Sequence, residues 1–190
     1  MCGRYTGFID DSRELLDIYT KARSLYPDVN FRSGEIFPTE TVPLLTSGEN
    51  GILPIPAKWG FPGFKNSEVI INARAETAAE KRTFAESFRR RRCIVPTTGY
   101  YEWTHDKEKK KYLFRLPEKK ILYLAGLYGE YADGIRFVIL TTAANGSVSD
   151  VHHRMPLILS EDELSYWTRD FYFAREHIGK IMPEMVKNEA

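Results

Sequence analysis

Hydrophobic positions along the chain follow two spacings, one helical and one extended, and together they predict an α+β fold. Apolar residues recur at helical spacing in residues 10–21 and 77–91, so both ranges are predicted helices. A third helix is expected at 164–168, because residues 160–163 before it read Ser-Glu-Asp-Glu and form a capping box. Short apolar runs bounded by turn residues predict strands at 42–45, 51–53, 68–71, 93–95, 100–103, 112–116, 121–127 and 135–142.

This order of elements favours an antiparallel strand core with helices packed outside it. The chain has 190 residues, of which 43% are hydrophobic, and this is enough for one sizeable core. We therefore expect one domain covering residues 1–190.

Charge placement is more informative than total charge. The formal net charge is only +1, so an acidic partner would have to bind a local patch. The densest basic run is 89–92, with Lys81 and Arg82 nearby, and it could engage a phosphate backbone. The same run is equally typical of a solvated helix end, where cations are favourable.

The cysteine content excludes several classes of protein. Cys2 and Cys93 are the two cysteines, and their spacing predicts neither a disulfide framework nor a structural zinc site. The four histidines do not alter this expectation of no metal, and no cofactor is expected. Because no apolar stretch reaches membrane-spanning length and no signal-peptide pattern opens the chain, we expect a cytoplasmic protein with no membrane partner.

The start of the sequence, Met1-Cys2-Gly3, offers unusual chemistry. Removal of Met1 would give Cys2 a free α-amine beside its thiol. An aldehyde can condense with that amine to an imine, and the sulfur can then close on the imine carbon to form a thiazolidine. The alternative is that Cys2 is an ordinary second residue.

Two polar segments follow predicted strands or lie within them. Asn72 and Arg74 come directly after one strand, where Asn72 could hydrogen-bond a ligand and Arg74 could bind a phosphate. A plain strand-to-helix turn capped by Glu76 or Thr77 is the alternative. Glu102 lies between aromatic neighbours, and in an apolar site its pKa would rise until it could exchange protons near neutrality. An outward-facing strand residue is the alternative there.

Two further segments are candidates for contact with a substrate. His152 and His153 are adjacent, and on an extended segment they would point in opposite directions, so we expect one of them to face a site. A structural histidine is the alternative. The aromatic loop 59–64, which includes Trp59, is suited to stacking on bases, although ordinary core aromatics explain it as well.

Taken together, these segments resemble the SRAP family, the SOS response-associated peptidase-like proteins that process abasic sites. The matching motifs are Met1-Cys2-Gly3-Arg4-Tyr5, Trp59-Gly60, Asn72-Ala73-Arg74-Ala75-Glu76-Thr77, Arg92-Cys93-Ile94-Val95-Pro96, Gly99-Tyr100-Tyr101-Glu102-Trp103 and His152-His153-Arg154-Met155-Pro156. The resemblance implies a compact α+β domain with a barrel-like, mostly antiparallel core. It also implies a covalent bond between Cys2 and an abasic site in single-stranded DNA, which shields the lesion.

The resemblance assigns roles position by position. Cys2 matches the nucleophile, Asn72 the residue that holds the crosslink, Glu102 the proton-transfer carboxylate and His152 the histidine that assists imine chemistry. The positions implied to contact DNA or to lie beside the site are Arg4, Trp59, Arg74, Trp103 and Arg154. The chain departs from the family at Glu35, where an asparagine is usual, and this puts local DNA contacts in doubt.

The resemblance further implies a monomer that associates with the nucleoid when bound to DNA, with lyase and self-processing peptidase activity as secondary expectations. Two hypotheses from other classes remain open. One is an N-terminal-nucleophile amidohydrolase of the glutaminase type, with Asn145-Gly146 as an oxyanion-hole element. The other is a non-covalent binder of single-stranded DNA that uses Trp59, Trp103 and the basic run.

Overall fold

The computed structural model describes residues 2–49, 51–63, 65 and 68–190. Its strands are β1 (Arg4–Gly7), β2 (Gly34–Ile36), β3 (Thr41–Gly48), β4 (Gly51–Trp59), β5 (Phe61–Pro62), β6 (Val69–Ile70), β7 (Asn72–Arg74), β8 (Arg92–Thr97), β9 (Gly99–Trp103), β10 (Lys111–Arg115), β11 (Leu122–Tyr131), β12 (Gly134–Ala143), β13 (Arg154–Pro156), β14 (Ile158–Leu159) and β15 (Val186–Glu189). The α-helices are α1 (Arg13–Leu25), α2 (Ala75–Ala78), α3 (Ala85–Arg90), α4 (Leu164–Arg169) and α5 (Phe171–His177).

A closed sheet forms the centre of the molecule. Strands β12, β4, β3, β8 and β11 are neighbours in that order, and β11 pairs again with β12, so the sheet closes on itself. Most of these pairings are antiparallel, while β12 runs parallel to β4 and β7. The predicted α+β class with a barrel-like, mostly antiparallel core is confirmed.

A second, open sheet has the order β15-β10-β9-β1-β2, and all its pairings are antiparallel. It brings the N-terminal strand β1 between β9 and β2. The hydroxyl of Thr97 on β8 donates to the carbonyl of Thr6 on β1 at 2.5 Å, which ties the open sheet to the barrel. The start of the chain is therefore held where the two sheets meet.

The helices differ from the sequence pattern in one place. The predicted helix 77–91 is two short helices, α2 and α3, with tight turns between them at 79–84. A straight helix would put Ala78 and Phe84 about 120° apart around its axis. The break lets both side chains reach the core, where Ala78 is fully buried and Phe84 nearly so. The predicted capping box is confirmed, because Ser160 and Glu163 make both of its hydrogen bonds before α4.

One strand is longer than its predicted bounds. The strand expected at 51–53 is the nine-residue strand β4, which continues through Pro54 and Pro56. β4 pairs with β3 along its length and with β12 at Lys58 and Trp59, so the two prolines lie where β4 has a partner on one side. A proline costs no ladder hydrogen bond on an unpaired side. Among the described residues, no helix is both long and apolar enough to cross a membrane.

Candidate active site

Cys2 lies in the interior, two residues before β1 begins. Its side chain is 1% exposed, and its Sγ lies 3.6 Å from the carbonyl oxygen of Arg4. Burial, and next the charge of the nearby Glu102, raise the pKa of the Cys2 thiol well above its usual range. The thiol is therefore protonated at neutral pH in this structure.

Asn72 holds the main chain of Cys2. It opens β7, which runs parallel to β12 with Asn72 opposite Ile139. The side-chain Nδ2 donates to the carbonyl oxygen of Cys2 at 2.8 Å. The Oδ1 of Asn72 is buried and has no hydrogen-bond partner among the described residues, so it is a spare acceptor next to Cys2. The predicted role in holding a crosslink is compatible with this position.

Glu102 lies on β9, the strand beside β1. β1 and β9 are antiparallel, and Arg4 lies opposite Tyr101. Glu102, the next residue on β9, therefore lies on the side of this pair where the chain precedes Arg4. Glu102 is 2% exposed, and burial raises its pKa to about 7. The alternative of an outward-facing residue is therefore excluded, and near neutral pH this carboxyl group can both donate and accept a proton.

His152 lies just before β13 and is buried. The Nδ1 of His152 lies 2.9 Å from the backbone N–H of Arg154, from which it can accept, and 3.1 Å from the carbonyl oxygen of the same residue, to which a protonated Nδ1 can donate. Burial lowers the pKa of His152 to about 4. The imidazole is therefore neutral at physiological pH.

The expectation that His152 and His153 point in opposite directions is wrong. Their rings stack with centroids 4.5 Å apart and planes at 20°. The segment before β13 is a turn and a bend, so the alternation of an extended strand does not apply to it. His105, three residues after Glu102, joins them, with its ring 4.8 Å from that of His152. Sequence analysis missed His105, because it lies in a polar loop 47 residues before His152.

Arg154 is committed to an internal ion pair. Its two terminal nitrogens lie 2.6 and 2.8 Å from the carboxylate oxygens of Glu76, and its Nη2 also donates to the carbonyl oxygen of Thr141. With its side chain 11% exposed, Arg154 does not offer a guanidinium to DNA in this structure. Its geometry favours fixing the His152 segment against α2.

The suggested caps at Glu76 or Thr77 are also wrong, because α2 starts after Arg74 without a side-chain cap.

Arg4 and Trp103 form part of a half-exposed rim beside Cys2. Glu35 on β2 accepts from Arg4 at 3.1 Å and from Lys111 at 2.7 Å. The Arg4 guanidinium also lies 3.9 Å from the ring centre of Phe37 and 5.3 Å from that of Trp103. We call Arg4, Glu35, Phe37, Trp103 and Lys111 the charged rim.

Within the charged rim, the pKa of Glu35 is lowered. Partial burial works to raise its pKa, but the hydrogen bonds and charges of Lys111 and Arg4 outweigh burial and lower it. Sequence patterns did not identify Lys111 as a site residue, because it ends a lysine-rich turn. Its partner Glu35 is 76 positions away in the chain.

The interpretation of Trp59 as a base-stacking residue does not fit the structure. Trp59 is fully buried, its Nε1 donates to the carbonyl oxygen of Ile71 at 3.0 Å, and its ring packs 5.1 Å from that of Tyr5. Its hydrogen bond to Ile71 holds the residue directly before β7. Gly60 has φ 112°, and a Cβ there would lie 2.1 Å from a Val69 methyl group, so this turn requires glycine. Phe61 is also buried, while Phe64 and Met1 lie outside the described residues.

The remaining basic residues divide into two kinds. Arg74 is exposed at the end of β7. Arg92 is buried and donates to the carbonyl oxygens of Phe88 and Trp167, both at 2.6 Å, so it belongs to the core. Arg89 and Arg90 are exposed, which leaves this part of the predicted basic run accessible.

A separate groove of about 890 Å³ lies between α1, the turn after β10 and the segment after α5. It is lined in part by Ser12, Lys120, Tyr123, His177 and Met182. None of the predicted site residues lines it, so this groove and the Cys2 cluster are different places.

Comparisons with known proteins identify similar sequences. Residues 1–188 match the family model described as SOS response associated peptidase (SRAP). "Abasic site processing protein YoaM" of Bacillus subtilis is 32% identical over 188 residues, covering 88% of this chain and 78% of that protein. "Abasic site processing protein YedK" of Escherichia coli is 31% identical over 150 residues, covering 74% of this chain and 66% of that protein.

Solved structures have the same fold. A crystal structure of a Bacteroides thetaiotaomicron protein matches with a TM-score of 0.78 at 24% identity, covering 99% of this chain and 91% of that one. A Bordetella bronchiseptica protein matches with a TM-score of 0.80 at 21% identity, covering 100% and 99%. At these identities the likeness is one of fold.

Proposed function

We propose that this chain, which belongs to the SOS response associated peptidase (SRAP) family, processes abasic sites in single-stranded DNA by bonding Cys2 covalently to the lesion. The names of its relatives supply the substrate class, since several are called abasic site processing proteins. The bound protein would act as a monomer and shield the lesion from cleavage. We also propose that it acts in the cytoplasm, on nucleoid DNA.

The observation that carries the proposal is the set of groups around Cys2. The Asn72 amide donates to the Cys2 carbonyl at 2.8 Å, and the Glu102 carboxyl is buried close enough to raise the pKa of the Cys2 thiol. These three residues come from distant parts of the sequence. An N-terminal residue with no chemical role would not need a buried carboxyl group and an amide directed at it, because burying an ionisable group is unfavourable.

The first chemical step is imine formation. A closed abasic sugar has little free aldehyde, so proton transfer must open the ring. Glu102, with a pKa of about 7, can give a proton to the ring oxygen and later take one back, and His152 is the second proton-transfer group. The amine of Cys2 then attacks C1′, water leaves, and a C=N bond forms. This step requires that Met1 has been removed.

The second step is ring closure by sulfur. The Cys2 thiol is protonated, so it does not compete as a thiolate for the aldehyde, and the amine reacts first. The S–H then adds across the C=N bond: sulfur bonds to carbon and the proton ends on nitrogen, passing through Glu102. Such an intramolecular addition can have an effective molarity of ~10⁵ M or more, so the thiazolidine outlasts a bare imine.

Two secondary activities belong to the same proposal. The imine could drive β-elimination and cleave the strand, which would be a lyase activity. Removal of Met1 by the protein itself would be a peptidase activity, although an ordinary aminopeptidase can do the same.

The amidohydrolase alternative loses its oxyanion-hole element. The Nδ2 of Asn145 donates to the carbonyl oxygens of Met182 and Pro183, both at 2.9 Å, and its Oδ1 accepts from Ser147. Asn145 therefore holds the segment after α5. An assay for free ammonia with glutamine tests this alternative directly.

The decisive experiment incubates Met1-free protein with an abasic single-stranded oligonucleotide and separates the products on a denaturing gel. We expect a shifted band with the wild type and complete loss of it in Cys2→Ala. The matched control is Cys93→Ala, which removes the other buried thiol and should keep the band. An intact oligonucleotide and a protein that retains Met1 should give no band.

The absence of a shifted band from the wild type would refute the covalent proposal. A complex that forms in native gels but dissolves in denaturant or high salt would favour the non-covalent hypothesis instead.

A further inference from the structure

We propose that His105, His152 and His153 form a binding site for one zinc ion, whose occupancy controls access to His152. One candidate ligand nitrogen from each ring lies within 4.8 Å of the other two. His152 is buried, while His105 and His153 are exposed. No sequence pattern indicates this cluster, because it joins the loop after β9 to the turn before β13.

The geometry is within reach of zinc coordination. Tetrahedral zinc with Zn–N bonds of 2.0–2.1 Å has ligand nitrogens about 3.4 Å apart. The observed spread of up to 4.8 Å must therefore shrink by about 1.4 Å at most. Rotation of the two exposed rings can supply this movement while His152 stays in place.

His152 has the backbone partner that a zinc ligand requires. Its Nδ1 lies 3.1 Å from the carbonyl oxygen of Arg154 and 2.9 Å from the N–H of the same residue. When Nδ1 carries the proton, it donates to this carbonyl, and Nε2 becomes the ligating nitrogen. A histidine that binds metal through one nitrogen usually donates its other N–H to such a partner. Either tautomer therefore keeps a backbone hydrogen bond.

The loop that carries His105 is held in shape by Asp106. Its Oδ1 accepts from the hydroxyl of Thr104 at 2.7 Å and from the backbone N–H groups of Glu108 and Lys109 at 3.1 and 3.0 Å. These bonds define the loop conformation on both sides of His105, so the ring starts near the other two.

The ligand set selects the type of metal. Three imidazoles suit zinc, copper or nickel, and they do not suit magnesium or calcium, which prefer oxygen ligands. Three protein ligands leave a fourth position for water or for a substrate oxygen. We commit to zinc as the probe.

The consequence for activity rests on the function proposed above. A zinc ion on His152 would occupy the nitrogen that takes part in opening the sugar ring. Zinc-bound protein should therefore crosslink more slowly than zinc-free protein.

The binding experiment is independent of the crosslinking reaction. Zinc chloride is titrated calorimetrically into untagged Cys2→Ala protein, because the terminal aminothiol could itself bind zinc. We expect one ion per chain. In the same background, His105→Ala and His153→Ala should each weaken binding at least about tenfold. The matched control is Lys107→Ala, an exposed residue of the same loop, which should bind as before. Circular dichroism checks that each variant is folded.

Absence of stoichiometric binding, or unchanged binding in the double variant of His105 and His153, would overturn the site. The second arm measures crosslink rates with Cys2 intact, with and without zinc. Zinc should slow the wild type and should slow the double variant much less. If crosslinks form and zinc affects both proteins equally, the control of His152 is refuted. If no crosslink forms with or without zinc, the proposed function fails, while the calorimetry still decides the metal site.

Discussion

Two glutamates of the same open sheet, Glu102 and Glu35, have opposite protonation behaviour. Glu102 is 2% exposed, and burial raises its pKa to about 7. The side chain of Glu35 is 27% exposed, and Lys111 and Arg4 lower its pKa. The strands that carry them, β9 and β2, are separated by β1 alone. The difference lies in the partners: Glu102 is buried beside a thiol, and Glu35 lies between two cations.

This comparison separates chemistry from electrostatics in the site. A carboxyl group with a pKa near 7 can exchange protons during a reaction. A carboxylate held between two cations keeps its charge and neutralises them. Substitutions at Glu102 should therefore change rates, and substitutions at Glu35 should change affinity for DNA.

The largest effect is expected for Glu102→Gln. Loss of the proton-transfer group should slow crosslink formation by about 10²-fold or more, because general acid–base catalysis contributes on the order of 10²–10⁴. Single-turnover rates with saturating abasic oligonucleotide measure the effect without interference from affinity.

Glu35→Gln is the matched control for this rate, since it makes the same change in the same sheet. Its single-turnover rate should stay within about threefold of the wild type, which is far from the 10²-fold expected of a general acid–base group. Equal slowing by both substitutions would show that the difference in pKa between the two glutamates does not determine which of them transfers protons in the reaction.

The second prediction concerns stability and pH. The folded pKa of Glu102, about 7, is above the ordinary value of 4.5. Its contribution to folding is therefore fully present below pH 4.5 and is lost as pH rises through 7. The gap corresponds to at most about 3 kcal/mol. Urea unfolding of wild type and Glu102→Gln at several pH values should show the wild type losing stability relative to the variant between pH 4.5 and 8.

Glu35 should behave in the opposite direction. Because its folded pKa is lowered, its contribution is present above the ordinary value of 4.5 and is lost on acidification. The stability difference between wild type and Glu35→Gln should therefore change only at acidic pH.

A constant stability difference between wild type and Glu102→Gln from pH 4.5 to 8 would mean that the Glu102 carboxyl group is not desolvated as described.

Sequence patterns predicted much of the fold because many elements are locally encoded. Helix α1 follows from the spacing of Leu15 and Tyr19, both of which are buried. Strand β1 was missed, since Arg4–Gly7 is too short and polar to show a period. The break between α2 and α3 was missed because it serves the burial of Ala78 and Phe84, which depends on tertiary packing.

Sequence motifs could nominate candidate residues for the site, but they could not predict the partners of those residues. Motifs identified Cys2, Asn72 and Glu102 by resemblance. The pairing of Arg154 with Glu76, the bridge from Glu35 to Lys111 and the three-histidine cluster all depend on sheet order and loop direction. No local pattern encodes these, because each joins segments 30 or more positions apart in the chain.

The smallest effect, on DNA affinity, is expected from Glu35→Gln. In the wild type, the Oε1 of Glu35 forms ion pairs with the Nη1 of Arg4 at 3.1 Å and with the Nζ of Lys111 at 2.7 Å. Without it, both cations become available to phosphates beside the site. Binding to an intact single strand, which cannot crosslink, should tighten several-fold at low salt. The slope of log affinity against log salt should steepen by about 0.7 for each added phosphate contact.

Net charge alone must be separated from this local effect. Glu14→Gln removes the same charge from an exposed position on α1, in the groove that contains none of the predicted site residues. It should leave the salt slope unchanged, because interactions beyond about 10 Å are screened at ordinary ionic strength. Equal tightening by both variants would mean that total charge governs binding. Tightening by Glu35→Gln alone, reversed by adding Lys111→Gln, would mean that Glu35 holds the rim cations away from DNA.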